Sequence, residues 1–342
     1  MPVSGIKYHP AKWWTPEGDK KVKCELCPRN CIIKKGQHGF CFIRQNIDGK
    51  LYSAGYGYPT GFGVDPIEKK PLNHFYPGTE ILSFGTLGCN LGCKFCQNWN
   101  ISKSTKQSRD EDYISAEDIV LFTKKRNIPA IAFTYNDPDI FGEFVIDVSR
   151  LAKEENIKTV MVSAGYINPE PRKEVYKYID AANIDLKAFS AEFYKKFCSV
   201  EIEKILDTIL WIKQETNVWM ELTTLLIPDL NDSEKELNEM CSWIVENLGP
   251  DVPIHFTAFH PDFKLKDKPR TSVSTLITAR NIALKNGMRY VYTGNVHSEE
   301  TQTTFCPKCS QKLIKRDWHS VAFNLVENGE CFNCKTKISG RF

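Results

Sequence analysis

Long apolar stretches are missing from this 342-residue chain, and none of its apolar runs reaches membrane-spanning length. Residues 1–7 also lack the apolar core of a secretory signal peptide. The net charge is only +3, which is too small to indicate a polyanionic partner such as nucleic acid. With 42% hydrophobic and 25% charged residues, the sequence predicts a folded cytoplasmic protein that is not inserted in a membrane.

The small net charge hides an uneven distribution along the chain. Residues 1–50 carry ten Lys and Arg against four Asp and Glu, and residues 301–342 carry seven against three, so the middle is acidic. Both basic ends are also rich in cysteine. We therefore predict three parts: an N-terminal cysteine-rich module at 1–64, a main domain at 65–300 and a small C-terminal module at 301–342.

Cysteine, by contrast, is abundant, and its placement argues against disulfides. Eleven of the 13 cysteines form three tight groups in a large chain without a secretion signal, which is typical of metal ligation in a reducing compartment. Cys198 and Cys241 stand alone in helix-like stretches. We expect each of these two to be a buried, small apolar residue.

The central group, Cys89, Cys93 and Cys96, has the spacing Cys-x3-Cys-x2-Cys. Soft thiolates of this kind bind iron–sulfur clusters or zinc. Most cubane clusters use four cysteines, so three would leave one iron open to a substrate or cofactor. The apolar neighbours Leu91 and Phe95 would limit the access of water. A zinc knuckle or a disulfide cluster is the alternative.

From about residue 79 onward, strand-like segments alternate with helix-like ones, which predicts an α/β fold with a parallel sheet. Seven candidate strands suit a partial or open barrel of the TIM type, whose active site lies at the carboxyl ends of the strands. The candidate strands are 80–84, 130–134, 159–163, 182–187, 218–226, 254–258 and 290–292. The Gly-, Tyr- and Pro-rich segment 55–63 is predicted to be loop and turn.

Polar residues follow several of these strands at the predicted carboxyl edge. After the second strand, Asn136 offers an amide and Asp137 a carboxylate that could accept hydrogen bonds from a ligand ammonium group. Ser163 ends the third strand shortly before a glycine that would permit close approach of a ligand. Asp185 and Lys187 share one face of the fourth strand, where Lys187 could neutralise a ligand carboxylate. Polar strand ends without any ligand are common, and this is the alternative for each cluster.

The cysteine motif resembles the signature of radical S-adenosylmethionine (SAM) enzymes. Over essentially the whole chain, further motifs resemble the radical SAM component of the AmmeMemoRadiSam system, a group related to pyruvate formate-lyase activating enzymes. These motifs lie at residues 65–101, 134–138, 183–187, 226–232, 259–262, 291–295 and 340–342. The resemblance implies a partial (β/α) barrel of the radical SAM type at 65–300, flanked by the two cysteine-rich modules.

The resemblance also implies a cofactor set. Cys89, Cys93 and Cys96 would bind a [4Fe–4S] cluster whose open iron is chelated by SAM. One electron, from a donor such as flavodoxin or ferredoxin, would cleave SAM and start hydrogen abstraction. The residues implied in SAM or substrate binding are Asn98, Asn136, Asp137, Ser163, Asp185, Lys187 and His260.

The chain departs from the family at two positions. Asp137 stands where Glu is usual, so its side chain is one methylene shorter. Glu221 stands where activating enzymes tend to carry a SAM-binding Arg, and we assign it no role.

The C-terminal group consists of Cys306, Cys309, Cys331 and Cys334 with the spacing C-x2-C-x21-C-x2-C. Two such knuckles predict a zinc ribbon with a closed, structural site. A rubredoxin-like iron site would use the same ligands. His319, between the knuckles, is expected at the surface rather than as a ligand.

The N-terminal group consists of Cys24, Cys27, Cys31 and Cys41. Four cysteines complete the ligand set for either zinc or an auxiliary [4Fe–4S] cluster, and the sequence does not separate the two. The preference is slightly for a closed structural metal site, because short cysteine modules commonly need a metal to fold.

These patterns support a radical SAM enzyme acting on a protein or peptide, as glycyl-radical activating enzymes do. Radical modification of a small molecule is the close alternative. A non-enzymatic module that recruits nucleic acid or protein through its zinc ribbon is a second class, although the basic charges at 301–342 are ordinary for a solvated face.

Overall fold

The structure, a computed structural model, describes residues 7–105 and 112–342, which form two compact units. Unit 1 contains the described residues of Met1–Val64, Ile81–Asp180 and Glu203–Thr208. Unit 2 contains Asp65–Glu80, Ala181–Ile202 and Ile209–Phe342. The predicted boundaries at 64/65 and 300/301 stay a prediction.

The strands fall into four small groups and two parallel series. The first ten are β1 His9–Pro10, β2 Trp14–Pro16, β3 Val22–Cys24, β4 Ile32–Ile33, β5 Arg44–Ile47, β6 Lys50–Ser53, β7 Thr60–Pro66, β8 Glu80–Gly85, β9 Ala130–Phe133 and β10 Lys158–Ser163. The next nine are β11 Ala181–Asp185, β12 Trp219–Leu226, β13 Ile254–Ala258, β14 Val291–Gly294, β15 Thr304–Phe305, β16 Lys312–Asp317, β17 Ser320–Asn324, β18 Val326–Glu327 and β19 Glu330–Cys331.

The helices mostly alternate with the longer strands. They are α1 Trp99–Ser102, α2 Ala116–Lys125, α3 Gly142–Glu154, α4 Pro169–Val175, α5 Ala191–Phe193, α6 Ile202–Glu215, α7 Glu234–Leu248, α8 Val273–Lys285 and α9 Glu299–Gln302. Short 3-10 turns occupy Ile67–Lys69, Pro138–Phe141 and Tyr176–Tyr178, and a π-helical turn occupies Tyr194–Cys198.

Unit 1 is built on β8, β9 and β10, which pair side by side and parallel. All four residues of β9 are buried, as expected for an apolar strand with both faces covered. The helix that precedes β9 in the chain, α2, is capped by Ser115, whose hydroxyl accepts from the Asp118 amide while the Asp118 carboxylate accepts from the Ser115 amide. Parallel strands bring their carboxyl ends to one edge, so the loops after β8, β9 and β10 lie together.

Unit 2 repeats this arrangement with β11, β12, β13 and β14, which pair in sequence order and parallel. The chain then forms antiparallel β15–β16–β17 and the β18–β19 hairpin. Their core joins Tyr290 and Tyr292 with Leu313, Ile314 and Ile338. The end of the chain therefore shares a core with the last parallel strand.

The predicted α/β class with a mostly parallel sheet is confirmed, and each of the seven candidate strands overlaps one of β8 to β14. The prediction of loop and turn at 55–63 is wrong in its second half, because Thr60–Pro66 form β7 beside β8. Glycine at an edge strand weakens the local signal for strand without preventing pairing.

Two expectations about the whole chain can be compared with the structure. Among the helices formed by residues 7–105 and 112–342, none is long and apolar enough to cross a bilayer. None of the 13 cysteines, all of which lie in those ranges, forms a disulfide. Cys198 and Cys241 are fully buried, as expected.

Candidate cofactor and metal sites

The loop after β8 carries the central cysteines of unit 1. Gly88 enters it with φ +85°, and a Cβ at this position would lie 2.0 Å from the Cys41 carbonyl oxygen, so only glycine fits. Cys93 lies close enough to Cys89 and Cys96 for its charge to raise the pKa of both thiols. The structure therefore gathers the three predicted cluster ligands in one short loop.

Hydrogen-bond donors and a cation surround these sulfurs. The Leu91 amide donates to Cys89 Sγ at 3.4 Å, and Cys96 Sγ lies 3.1 Å from Ser102 Oγ. Burial raises the pKa of Cys89 to about 12 and also raises that of Cys96, while Lys103 acts to lower both. Donors and positive charge of this kind favour the thiolate form that a metal centre requires.

Asn98 and Asn136 hold the backbone around this loop. Asn136 is 9% exposed, donates to Thr86 Oγ1 at 3.1 Å and to the Gly88 carbonyl at 2.8 Å, and accepts from the Thr86 amide at 3.3 Å. Asn98 donates to the Tyr135 carbonyl at 2.9 Å. Tyr135 has φ +72°, an uncommon value for a bulky residue. Both amides thus position the protein backbone, and their predicted contact with SAM stays a prediction.

Asp137 and Ser163 meet at the ends of β9 and β10, together with Asp139. Ser163 Oγ lies 2.8 Å from Asp137 Oδ1 and 3.0 Å from Asp139 Oδ2, and it accepts from the Gly165 amide at 2.9 Å. A hydroxyl has one proton to donate, so it cannot donate to two carboxylates. Asp137 and Asp139 are also hydrogen-bonded to each other, which requires a proton on one of the two acids.

The protonated acid is Asp139. This side chain is fully buried, and burial followed by the charge of Asp137 places its pKa well above the ordinary value. Asp137 is left as the carboxylate, 3% exposed and near enough to Cys89 to raise the pKa of that thiol. The arrangement places one negative charge next to the cysteine loop.

The other predicted SAM contacts belong to unit 2. Lys187 Nζ donates to Asp185 Oδ2 at 2.8 Å, and the side chains are 15% and 33% exposed. The Lys187 backbone is fixed by Tyr194 Oη, which accepts from its amide at 2.8 Å, and by Asn231, which donates to its carbonyl at 2.6 Å. His260 is exposed and follows β13. The structure pairs Asp185 with Lys187 as their alternation predicts.

Glu221, which the sequence left without a role, is a buried anchor in β12. Its carboxylate accepts from the amides of Asn73 at 3.0 Å and His74 at 2.7 Å. It also accepts from Trp219 Nε1 at 3.1 Å and lies 2.7 Å from His255 Nε2. Burial alone would raise the pKa of Glu221, but the bond to His255 and the charges around it hold it below the ordinary value. Its role in the structure is to fix the 73–74 backbone.

The C-terminal cysteines of unit 2 form a compact group. In the part of the chain that the structure describes, only Cys306, Cys309, Cys331 and Cys334 place three or more ligand atoms within 4.8 Å of one another. Cys306 Sγ lies 3.5 Å from Cys334 Sγ, and Cys309 Sγ lies 3.7 Å from Cys331 Sγ. A tetrahedral zinc with Zn–S near 2.3 Å separates its sulfurs by about 3.8 Å. The four thiols therefore fit one tetrahedral ion, and His319 lies outside this group.

Cys89, Cys93 and Cys96, in the loop after β8, all lie within the described ranges, but their sulfurs do not all come within 4.8 Å of one another. A cubane attaches each thiolate to a different iron and so holds them further apart than one ion does. The wider set, with its donors and apolar surroundings, fits a cluster.

The N-terminal cysteines, Cys24, Cys27, Cys31 and Cys41, line one cavity in unit 1. They too lie further apart than the C-terminal set.

Sequence reasoning missed Asp139, Ser102 and Lys103. Asp139 had a visible signal, since a second carboxylate two residues after Asp137 cannot share a buried strand end without a change of protonation. Ser102 and Lys103 follow the last cysteine of the loop by six and seven positions, and only the turn into α1 brings them back to it.

Comparison with known proteins gives three findings. A family model described as the radical SAM superfamily matches residues 84–241. The uncharacterized protein MJ0808 of Methanocaldococcus jannaschii is 43% identical over 322 residues, which cover 94% of this chain and 96% of that protein. A pyruvate formate-lyase-activating enzyme of Clostridium pasteurianum is 23% identical over 207 residues, 56% of this chain and 84% of that enzyme.

Among solved structures, a radical SAM methyltransferase from Sphaerobacter thermophilus has a TM-score of 0.52 at 16% identity, covering 65% of this chain and 68% of that one. At this identity the likeness concerns the fold alone, and it agrees with the parallel strands and alternating helices described above.

Proposed function

Since this chain belongs to the radical SAM superfamily and is an enzyme, we propose that it cleaves SAM reductively and abstracts hydrogen from a protein or peptide. The observation that carries the proposal is the site in unit 1. Three cysteines, spaced more widely than the C-terminal group, occupy the loop after β8, and the carboxyl group of Asp137 lies near Cys89 at the end of β9.

Cys89, Cys93 and Cys96 would hold the [4Fe–4S] cluster, which would pass one electron from an external donor to SAM for its cleavage. Asp137 offers a carboxylate to the amino group of SAM, and Ser163 fixes the orientation of that carboxylate. Asn136 keeps the loop in place through the Gly88 carbonyl.

Further SAM contacts are proposed from the family resemblance. Asn98, Asp185, Lys187 and His260 occupy the matching motif positions. For Lys187 the expected partner is the SAM carboxylate.

The substrate proposal rests on two supports. The motifs of the chain resemble the radical SAM component of the AmmeMemoRadiSam system. A relative that covers 56% of this chain is named as a pyruvate formate-lyase-activating enzyme, and such a name implies a protein substrate for that relative. We therefore propose a protein or peptide substrate and an electron donor of the flavodoxin or ferredoxin class, in a reducing cytoplasm. We also propose zinc as the ion at the C-terminal cysteines.

The first test measures SAM cleavage. Anaerobically reconstituted protein is incubated with SAM and dithionite or reduced flavodoxin, and 5′-deoxyadenosine is quantified. Wild type and the Cys241→Ala control should form it, and the Cys89→Ala/Cys93→Ala/Cys96→Ala variant should not. Product from the triple variant would remove these cysteines from the site, and no product from wild type would remove the function.

The second test separates a macromolecular from a small-molecule substrate. Extract from deuterium-grown cells is divided into macromolecular and small-molecule fractions, and each is added to the reaction. Deuterium should enter 5′-deoxyadenosine from the macromolecular fraction. Label from the small-molecule fraction alone would instead establish a metabolite substrate.

A further inference from the structure

The four N-terminal cysteines of unit 1 surround one cavity. Cys24 ends β3, and a tight turn returns the chain, with the Cys24 amide donating to the Cys31 carbonyl at 2.9 Å. Cys24, Cys27 and Cys41 are buried, and Cys31 is half-buried. All four side chains line the same space. Four thiols converging on one buried cavity indicate a bound metal centre rather than ordinary packing.

The spacing of the sulfurs separates one ion from a cluster. The four residues lie within the described chain, yet no three of their sulfurs come within 4.8 Å of one another. The C-terminal set meets that limit, with sulfur pairs at 3.5 and 3.7 Å. A single tetrahedral zinc needs sulfurs about 3.8 Å apart. The N-terminal set is therefore wider than the compact C-terminal set, and it shares this wider spacing with Cys89, Cys93 and Cys96.

The lining of the cavity suits an anionic cluster. Leu26 and Ile140 supply buried apolar surface, which keeps water from the site. Arg44, 1% exposed, lies against the cavity with its guanidinium held by Glu143 at 2.7 Å. Arg29 also lines the cavity and stacks on the Phe40 ring at 3.6 Å. Both guanidinium groups line the cavity, and although Arg44 is paired with Glu143, Arg29 adds a positive charge that favours an anionic centre such as an iron–sulfur cluster with four thiolates.

This cavity also adjoins the loop after β8. The Cys41 carbonyl is packed so closely against Gly88 that a Cβ there would lie 2.0 Å away. Arg29 Nε donates to the carbonyl of Asn90, which itself lines the cavity. Gly88 and Asn90 flank Cys89 on either side. The two cysteine sets are thus neighbours within one unit.

We propose that Cys24, Cys27, Cys31 and Cys41 bind a second [4Fe–4S] cluster, ligated by protein at every iron and adjacent to the Cys89 loop. A cluster without an open iron cannot chelate SAM, so outer-sphere electron transfer is the chemistry left to it. This assignment replaces the slight preference for a closed structural metal that the spacing along the chain suggested.

The test is metal analysis of the full chain, prepared and reconstituted anaerobically. Wild type should contain about eight irons, about eight sulfides and one zinc, since each cubane holds about four of each. The Cys27→Ala/Cys41→Ala variant should lose about half of the iron and sulfide, and its remaining electron paramagnetic resonance (EPR) signal should still shift on addition of SAM. Cys241→Ala, another buried thiol, should keep the wild-type content.

The Cys89→Ala/Cys93→Ala/Cys96→Ala variant provides a second measurement that leaves the N-terminal cysteines intact. It should keep about four irons with an EPR signal that SAM does not change. Two zincs per chain in wild type, or an iron-free triple variant with zinc at both ends, would overturn the proposal. Because iron in the triple variant is independent of SAM cleavage by wild type, failure of this proposal and failure of the proposed function give different results.

Discussion

At the scale of single residues, the protonation of Asp137 and Asp139 sets the charge at the carboxyl edge of the strands in unit 1. Ser163 has one proton for Asp137 and Asp139, which are also hydrogen-bonded to each other, so a proton on Asp139 lets the three groups coexist. The group then holds one negative charge rather than two, and that charge lies on Asp137, the residue beside Cys89. A second ionised carboxylate in this buried position would repel the first one without compensation.

The first prediction concerns Asp139. The pKa of Asp139 is higher in the folded state than in the unfolded state, so the folded state binds more protons. The free energy of unfolding therefore falls as pH rises from about 4 to the folded-state pKa, by up to about 1.4 kcal/mol per pH unit. Asp139→Asn keeps the neutral shape and lacks this loss. Urea unfolding of the anaerobic protein should therefore show the Asp139→Asn variant becoming more stable relative to wild type as pH rises.

The exposed Asp267 provides the matched control, since Asp267→Asn should follow the wild-type pH profile. Parallel profiles for wild type and Asp139→Asn would mean that Asp139 is ionised in the fold. The hydrogen-bond assignment around Ser163 would then be wrong.

The second prediction concerns Lys187. A charge-assisted bond to a ligand contributes about 1.5–3 kcal/mol, so Lys187→Ala should raise the Kd for SAM about tenfold or more while iron content is unchanged. Lys268→Ala is the control, because Lys268 forms a comparable ion pair with Asp229 at 3.0 Å. Calorimetric titration with SAM under argon measures both.

The observed bond from Lys187 to Asp185 supplies the competing explanation, a structural ion pair with no ligand role. Unchanged SAM affinity together with a lower unfolding temperature in Lys187→Ala would support that explanation and remove both residues from the proposed site.

At the scale of elements, a buried carboxylate joins β12 to a distant stretch of chain. Glu221 accepts from the Asn73 amide 148 residues away and from the His74 amide 147 residues away. His74 continues the network: its Nδ1 lies 2.6 Å from the Ser339 carbonyl, which only accepts, so this nitrogen carries the proton and Nε2 accepts from Tyr292 Oη. Burial lowers the pKa of His74 to about 4, consistent with this neutral form.

The third prediction follows from that network. Glu221→Ala leaves four donors without their acceptor, three of them on the buried residues Asn73, His74 and His255. Each buried donor costs about 1–3 kcal/mol, so the free energy of unfolding should fall by at least about 3 kcal/mol. Glu221→Gln keeps one acceptor oxygen and should lose clearly less. Guanidinium unfolding followed by tryptophan fluorescence measures the difference. Equal losses in the two variants would mean that side-chain volume, and not hydrogen bonding, is what β12 requires.

How far the sequence predicts these elements depends on how local each signal is. The seven parallel strands were predictable because each is an apolar run set between helix signals, such as the Ser115 cap before α2. β7 was not, since its pairing with β8 and not its own glycine-rich sequence makes it a strand. Asp137 and Ser163 were found by the rule that strand ends carry the site. The role of Glu221 was not accessible, because its partners are nearly 150 residues away.

At the scale of the whole chain, the distance between sulfurs distinguishes the three cysteine groups. One group is compact enough for a single ion and two are wider, although all three contain a Cys-x2-Cys pair. Sequence spacing sets which sulfurs can meet, but the backbone between them sets how closely. The compact group also lies in the core of unit 2, where Cys306 and Cys331 pack with Tyr290, Tyr292 and Leu313.

Residues 301–342 form buried contacts with earlier residues of unit 2. Arg316, 1% exposed, donates to the Asn73 carbonyl at 2.6 Å and to Thr304 Oγ1 at 2.9 Å, and it lies 3.6 Å from Glu68. Removing residues 301–342 would take the Arg316 guanidinium away from the Asn73 carbonyl and from Glu68. A point substitution at the metal ligands is therefore a cleaner test of the zinc than truncation.

The fourth prediction is that Cys309→Ala/Cys334→Ala loses one zinc per chain and lowers the Tm by about 10 °C or more, because metal binding contributes folding free energy and about 1 kcal/mol shifts the Tm by about 2–4 °C in a chain of this size class. Iron content should stay at the wild-type level, since the two wider cysteine sets belong to unit 1.

Both substituted residues are only half-buried, so lost packing alone should lower the Tm little. The buried Cys241→Ala variant serves as the control, because it reports the larger effect of removing a packed thiol. Calorimetry with zinc and iron analysis of the same samples measures all of this. A Cys309→Ala/Cys334→Ala variant that keeps its Tm after losing zinc would show that the ion is not structural. A variant that keeps its Tm and its iron but no longer cleaves SAM would show that the C-terminal module contributes to catalysis.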